Sequence, residues 1–418
     1  MRPGIHLRRG VAVAATLVVA GCGTLQIGRL GSAASERSTL ATAAGDAVRY
    51  TVTGTTPALL SQIDRLGLDI EAQDPIRRRA RVTETAANRQ QLAAMGLTIA
   101  EEVDVKATPG IDPGYMGYPA IVQTMQALAG AHGDVATIHN IGPSWETSRG
   151  RANRPILAMR IGPAPSPELP VVVFVAEQHA REIVTPEMAI RVIRMLLEGR
   201  KADAGLANIV SRCETWVVPM SNPDGHAKVV AGENRRKNMN DTQTGPGLLG
   251  LDGNAFPGVD LNRNFPFHWG EVGASREPLS PTFRGAAGGS EPETQALMRL
   301  IGGRKARYMM SYHSYSNLIL WPWGHTEAPA PDPRLPAIGQ KLAQLTGYRG
   351  IQSKDLYMTS GDISDWAFGT QGTMAFTAEV GSWDDGFTPP FSKVPQYWRE
   401  NEPAARYLLE LAAGIATP

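Results

Sequence analysis

Apolar positions fall at two spacings in the first hundred or so residues of this chain. Four stretches alternate apolar with polar side chains or run as short β-rich segments: AVRYTVTG (47–54), DIEAQ (69–73), IRRRARVTE (76–84) and LTIAEEVDV (97–105). Between them, TPALLSQIDRLG places Leu59, Leu60, Ile63 and Leu66 three or four apart, behind a Thr56-Pro57 start, and TAANRQQLAAMG reads as a second helix. Period two predicts strands and period 3.6 predicts helices. The order βαββαβ over 46–106 is that of a small ferredoxin-like unit. ATPGIDPG (107–114), punctuated by two prolines and two glycines, reads as a linker.

The pattern changes from residue 115 to about 416. ELPVVVFVA (168–176) is an unbroken apolar run, as expected of a strand covered on both faces. CETWVVPM, ARYMMSYH and MAFTAEV read the same way. IVTPEMAIRVIRMLLEG is a helix in which Thr185 can cap and Pro186 opens the first turn, and in SEPETQALMRLIGG, Ser290 and Glu293 have the spacing of a capping box. Strands alternating with helices predict an α/β domain. Its functional residues belong where loops leave the carboxyl ends of strands.

The first 45 residues follow neither pattern. MRPGIHLRRG carries Arg2, Arg8 and Arg9 and leads into the apolar run VAVAATLVVA. A basic segment before a short apolar one is the form of an export signal. Val19-Ala20-Gly21-Cys22 resembles a bacterial lipobox, in which Cys22 becomes the lipidated first residue of the mature chain; the other reading is an ordinary cleaved signal with an incidental cysteine. Residues 23–45, rich in Ala, Ser, Thr and Gly, would then be a tether from a membrane of the bacterial envelope. The only other cysteine is Cys213, so no intrachain disulfide is expected once Cys22 is lipidated. A formal net charge of +1 leaves no electrostatic footprint of a nucleic-acid binder, and nothing implies an oligomer.

The chemistry concentrates after the strongest strand. In AEQHAREIVTPE, His179 and Glu182 stand three apart between that strand and a helix, with Arg181 between them. Such a pair is a weak signal alone. A catalytic zinc takes three protein ligands from His and carboxylate and keeps one position open. His313, at the end of RYMMSYH, is the third candidate; His226, His268 and His325 sit in turns or loops. Glu379, in MAFTAEV, places an acid at the end of an apolar strand, where it must be used or paired.

With these residues in view, the chain resembles the zinc metallocarboxypeptidases of the carboxypeptidase A and carboxypeptidase T type. HARE, NPDG, RRKN, VDLNRNFP, SEPET, HSYSN, YMTSGDISDW, FTAEVG and FTPP occur in family order between Tyr115 and Phe391. The resemblance implies a mixed, eight-stranded-type central sheet flanked by helices, with one Zn²⁺ per chain on His179, Glu182 and His313. It implies that Glu379 is the general base and that Arg236, in RRKN beside Arg235, stabilises the oxyanion. It places Arg181 against the substrate beside the metal. Asn262, Arg263 and Tyr357 would hold the free C-terminal carboxylate of a peptide or protein. Asp362 and Ser364 fall in the segment that shapes the specificity pocket, where Asp362 either meets a Lys or Arg side chain or caps a local element. The 46–106 unit resembles the family's propeptides, which cover the active site, and IRRRAR within it is either a cleavage site or an exposed basic strand face. Two other readings stand beside a carboxypeptidase: a peptidase of cell-wall stem peptides on the same fold, and a non-catalytic binding protein that holds no zinc.

Overall fold

The computed structural model describes residues 48–66, 68–75, 77–84, 89–101, 111–244 and 256–418. The expected signal with Cys22, the tether and the first half of the expected linker (107–110) lie outside the described residues. Residues 44–418 form one compact unit.

Within it, the N-terminal part runs β1 (Val48–Thr53), α1 (Pro57–Arg65), β2 (Asp69–Asp74), β3 (Arg79–Glu84), α2 (Arg89–Ala94) and β4 (Thr98–Glu101). Its sheet has the order β2-β3-β1-β4, antiparallel throughout, as the βαββαβ pattern requires. Thr56 caps α1 as its sequence suggests: its hydroxyl accepts the Leu59 N–H at 3.2 Å. Val52, Leu60, Ile63, Val82 and Leu92 form the core of this small layer.

The larger part continues with α3 (Tyr118–Ala131), β5 (Ala136–Gly142), α4 (Trp145–Ser148), β6 (Ile156–Ile161), β7 (Val171–Ala176), α5 (Val184–Leu197), α6 (Ala204–Arg212), β8 (Glu214–Val218) and α7 (Pro223–Val230). Then follow α8 (Pro292–Gly303), β9 (Tyr308–His313), β10 (Leu318–Trp321), α9 (Arg334–Thr346), β11 (Arg349–Gln352), α10 (Ile363–Gln371), β12 (Met374–Glu379) and α11 (Val394–Ala412). The described strands of this part make one mixed sheet, β11-β10-β12-β9-β7-β8-β6-β5. Strands β8, β7, β9 and β12 at its centre are mutually parallel. The unbroken apolar run of β7 follows from this placement: Val172, Phe174 and Ala176 enter the core on one face, while Val171, Val173 and Val175 enter the core on the other.

Two local expectations fail here for the same reason. Thr185 does not cap α5; its hydroxyl donates to the Glu182 carbonyl at 2.8 Å and accepts the Glu177 N–H at 3.1 Å, bracing the turn between β7 and the helix. Ser290 and Glu293 form no capping box: Glu293 accepts the Trp145 N–H at 2.6 Å and an amide N–H of Asn238 at 3.1 Å. In both cases a buried backbone N–H outside the helix claims the oxygen: that of Glu177, eight residues back, for Thr185, and that of Trp145 for Glu293.

Candidate metal centre and substrate cleft

Strands β7, β9 and β12 are parallel neighbours, so their carboxyl ends open side by side. His313 ends β9 and Glu379 ends β12, directly opposite each other in the ladder. Just past β7, Glu177 takes the left-handed conformation (φ 56°), which turns the chain so that His179 and Glu182 come back over the sheet end.

His179, Glu182 and His313 offer ligand atoms that all lie within 4.8 Å of one another, and all three residues are buried. His179 Nδ1 is 2.7 Å from Glu182 Oε1; His313 Nδ1 is 3.0 Å from Glu182 Oε2 and 3.1 Å from His179 Nδ1. The far nitrogens are already engaged. His179 Nε2 faces Asp260 Oδ1 at 3.1 Å, and His313 Nε2 faces Gln178 Oε1 at 3.3 Å. With each Nε2 donating outward, both Nδ1 lone pairs and a carboxylate converge on one point, which is what a divalent cation requires. Burial alone would raise the Glu182 pKa, but the two imidazoles overcome it and hold the carboxyl well below its usual range. At Glu379, burial dominates, and with the charge of Glu182 it pushes the pKa up to about 7 against the pull of His313. A dication on the three ligands would act in the opposite direction at Glu379.

The arginines divide by partner. Arg236 donates through Nε and Nη2 to Asp260 Oδ2 at 3.0 and 2.9 Å, so Asp260 joins it to His179. Arg235 turns away, donating to the Pro257 carbonyl at 2.7 Å. Arg263 donates to the carbonyls of Gly273 and Asn262 and, through Nη2, to the Tyr357 hydroxyl at 3.2 Å. Asn262 Oδ1 accepts the Ile363 N–H at 2.9 Å, which fixes this end of the cleft to the start of α10.

His179, Glu182, His313, Glu379, Arg236, Asn262, Arg263 and Tyr357 thus line one cleft. Three expected residues do not line it. Arg181 is buried beside it and pairs through both terminal nitrogens with Asp69 of β2, at 2.9 Å for Nη2. Asp362 caps α10, its Oδ1 accepting the N–H groups of Ser364 and Asp365 at 3.0 and 2.9 Å. Ser364 Oγ meets Thr377 Oγ1 at 3.0 Å, two residues before Glu379 on β12.

Strand β2 crosses this cleft, and Ile70, Glu71, Ala72 and Gln73 form part of its lining. What remains enclosed is about 60 Å³, room for a few waters but not for a peptide end. Arg79 and Arg81 of β3 lie 4.3 and 4.6 Å from the Trp383 ring. Arg81 also donates to Tyr315 Oη at 2.8 Å and to the Trp383 carbonyl at 2.9 Å. The Arg79 and Arg81 face of β3 is therefore packed on the larger part, whereas Arg77 and Arg78, just before the strand, are exposed.

The sequence reading missed three groups: Asp260 and Gln178, which orient the histidines, and Asp69, which holds Arg181. Asp260 had a signal, since it stands two residues before Asn262 in VDLNRNFP. Of the histidines set aside, His226 is buried against Glu177, His268 faces Glu271, and His325 faces Asp365.

Residues 121–404 match the zinc carboxypeptidase family. The chain belongs to that family. A zinc carboxypeptidase of Saccharothrix mutabilis subsp. capreolus is 29% identical over 399 residues, 86% of this chain and 88% of the relative. Human carboxypeptidase O is 27% identical over 301 residues, 69% of this chain and 77% of its own. Among solved structures, carboxypeptidase A of Helicoverpa armigera superposes with a TM-score of 0.73 at 23% identity, covering 88% of this chain and 98% of that one, a likeness of fold. The protein is accordingly a zinc metallocarboxypeptidase, a peptide hydrolase, and the His-Glu-His group is the place among its described residues where a metal can be held.

Proposed function

We propose that this chain removes C-terminal residues from peptides and proteins, with one zinc ion held by His179, Glu182 and His313 and with Glu379 as the base. The observation that carries the reading is the strand register that sets Glu379 opposite His313 at the open end of the sheet. When bound there, zinc supplies Lewis acidity: it polarises the scissile carbonyl and acidifies water. Glu379 takes the proton of the attacking water and returns it to the leaving amine. Arg236, held by Asp260, faces the charge that develops on the carbonyl oxygen. Arg263, with Asn262 and Tyr357, receives the terminal carboxylate, for which its planar fork is suited. Placing that clamp beside the base restricts attack to the last bond of a chain. Arg181 contacts the substrate beside the metal once Asp69 has left it. Asp362, near Arg263 at the start of α10, receives a basic side chain of the residue removed, with Ser364 beside it.

We further propose that residues 46–106 act as a propeptide-like cover, that residues 1–22 direct export, and that Cys22 is lipidated and anchors the chain in the bacterial envelope. The crossing of the cleft by β2 supports the first, and the basic-apolar-Val-Ala-Gly-Cys pattern supports the others. Metabolic labelling with a fatty acid tests the anchor: wild type should incorporate label and Cys22→Ser should not, and label on both excludes Cys22. The peptidase reading is tested by incubating peptides with the zinc-loaded chain. Stepwise loss of C-terminal residues is expected; release of internal fragments would contradict it.

A further inference from the structure

Behind the clamp end of the cleft, Asp362 leads into a chain of titratable groups to which the reaction above gives no part. Asp362 is nine-tenths buried. Its Oδ1 is occupied by two backbone N–H groups, but its Oδ2 has no partner among the described residues. Burial first, and then the charge of Asp365, push its pKa up to about 7, against the pull of the two N–H groups and of Arg263. Asp365, one turn further along α10, is almost wholly buried. Its carboxylate accepts the Gly324 N–H at 3.0 Å and the His325 N–H at 3.1 Å, and it meets the His325 ring at Nδ1, 2.6 Å away. No other side chain able to carry positive charge is bonded to Asp365 among the described residues. The other face of this imidazole stacks on His268 at 4.0 Å between ring centres, and His268 meets Glu271 at 2.8 Å. Phe267 and Trp323 stand edge-on around His325.

We propose that His325, acting through Asp365, sets whether Asp362 carries charge, and so sets how strongly the enzyme prefers a basic over an apolar C-terminal residue. The proposal rests on the reading that Asp362 meets the side chain of the residue removed. Two carboxylates three residues apart in a buried helix start cannot both ionise freely. Positive charge on His325 offsets Asp365 and lets Asp362 ionise, which gives a cationic side chain its partner. Without that offset, Asp365 holds a proton on Asp362, and the pocket presents a neutral carboxyl that an apolar side chain tolerates. His325 and Asp365 are positioning residues: neither touches the substrate.

Opposite signs test this. The readout is the ratio of kcat/KM for paired blocked peptides ending in Arg and in Leu. It is measured on the zinc-loaded full chain, or on the same chain after limited proteolysis if only that form turns over. Asp362→Asn should lower the ratio tenfold or more, about the worth of one charge-assisted contact; an unchanged ratio overturns the pocket reading and this inference with it. Given that drop, His325→Phe should lower the ratio at least about threefold, and Asp365→Asn should raise it, while turnover of the Leu peptide stays near wild type. If His325→Phe does not fold, His325→Gln keeps a donor for Asp365, removes the positive charge and should also lower the ratio. Shifts of the two variants in the same direction, or no shift in either when Asp362→Asn responds, would overturn the proposal and leave the pocket reading intact.

Discussion

The two ends of the cleft hold their charges differently. At the metal end the ligands and Arg236 have partners within the larger part of the molecule: Glu182 sits between two imidazoles, His179 leans on Asp260, and Asp260 ties down Arg236. At the substrate end Arg263 and Asn262 are held by the larger part as well, but Arg181 and Tyr357 meet the smaller part. Arg181 is held by Asp69, and the Tyr357 ring packs against the core of the small sheet. The difference separates two tasks. The groups that do chemistry are preorganised by their own sheet, whereas two of the groups that hold a substrate are covered by a segment of the same chain. Removing that segment should free the second set and leave the first in place.

Glu379→Gln breaks the metal end alone. Loss of a general base costs about 10²- to 10⁴-fold, so turnover should fall by at least 10²-fold while zinc content stays at one per chain. Near-normal turnover would show that Glu379 is not the base. Asp69→Asn breaks the other end. Unpairing a buried ion pair costs about 3–5 kcal/mol, so the small part should loosen. Peptidase activity of the intact chain should then rise several-fold, and limited proteolysis should cut first between residues 46 and 115. If activity does not rise, the Asp69–Arg181 pair is not what keeps the cleft closed.

The smallest expected effect lies away from both ends. Burial, and then the charge of Glu291, push the pKa of Glu293 up to about 8 from its ordinary 4.5. The folded chain therefore holds this proton more tightly than the unfolded chain does. The stability it contributes is complete below pH 4.5 and is lost as pH rises through 8. Glu293→Gln, which imitates the protonated form, should flatten the decline in Tm between pH 4.5 and 8. An unchanged slope would mean that Glu293 gives up its proton without cost.

What could be read from the sequence follows the same division. His179, His313 and Glu379 were legible because each sits at the end of an apolar strand, and parallel neighbours bring such ends together. Glu182 was legible by its spacing from His179. The βαββαβ unit was legible because β1 and β3 alternate apolar with polar side chains. Asp69 was not legible, since its partner is 112 residues away and nothing local distinguishes it from another strand acid. Arg79 and Arg81 looked like a solvated face because a tryptophan far along the chain supplies their cover. Thr185 and Glu293 had the right spacing for caps, but buried backbone groups elsewhere needed their oxygens more. Asp362 was read both as a pocket acid and as a cap, and it makes the cap with one oxygen while leaving the other unpartnered.

One metal on His179, Glu182 and His313 would serve the base across the strand ladder. This is tested most directly by measuring the zinc content of the folded chain and following a mixed peptide set by mass spectrometry, with and without a chelator. One zinc per chain is expected, with stepwise loss of C-terminal residues that stops when the metal is removed. Cleavage that survives removal of the metal, or a folded chain that binds no zinc, would contradict it.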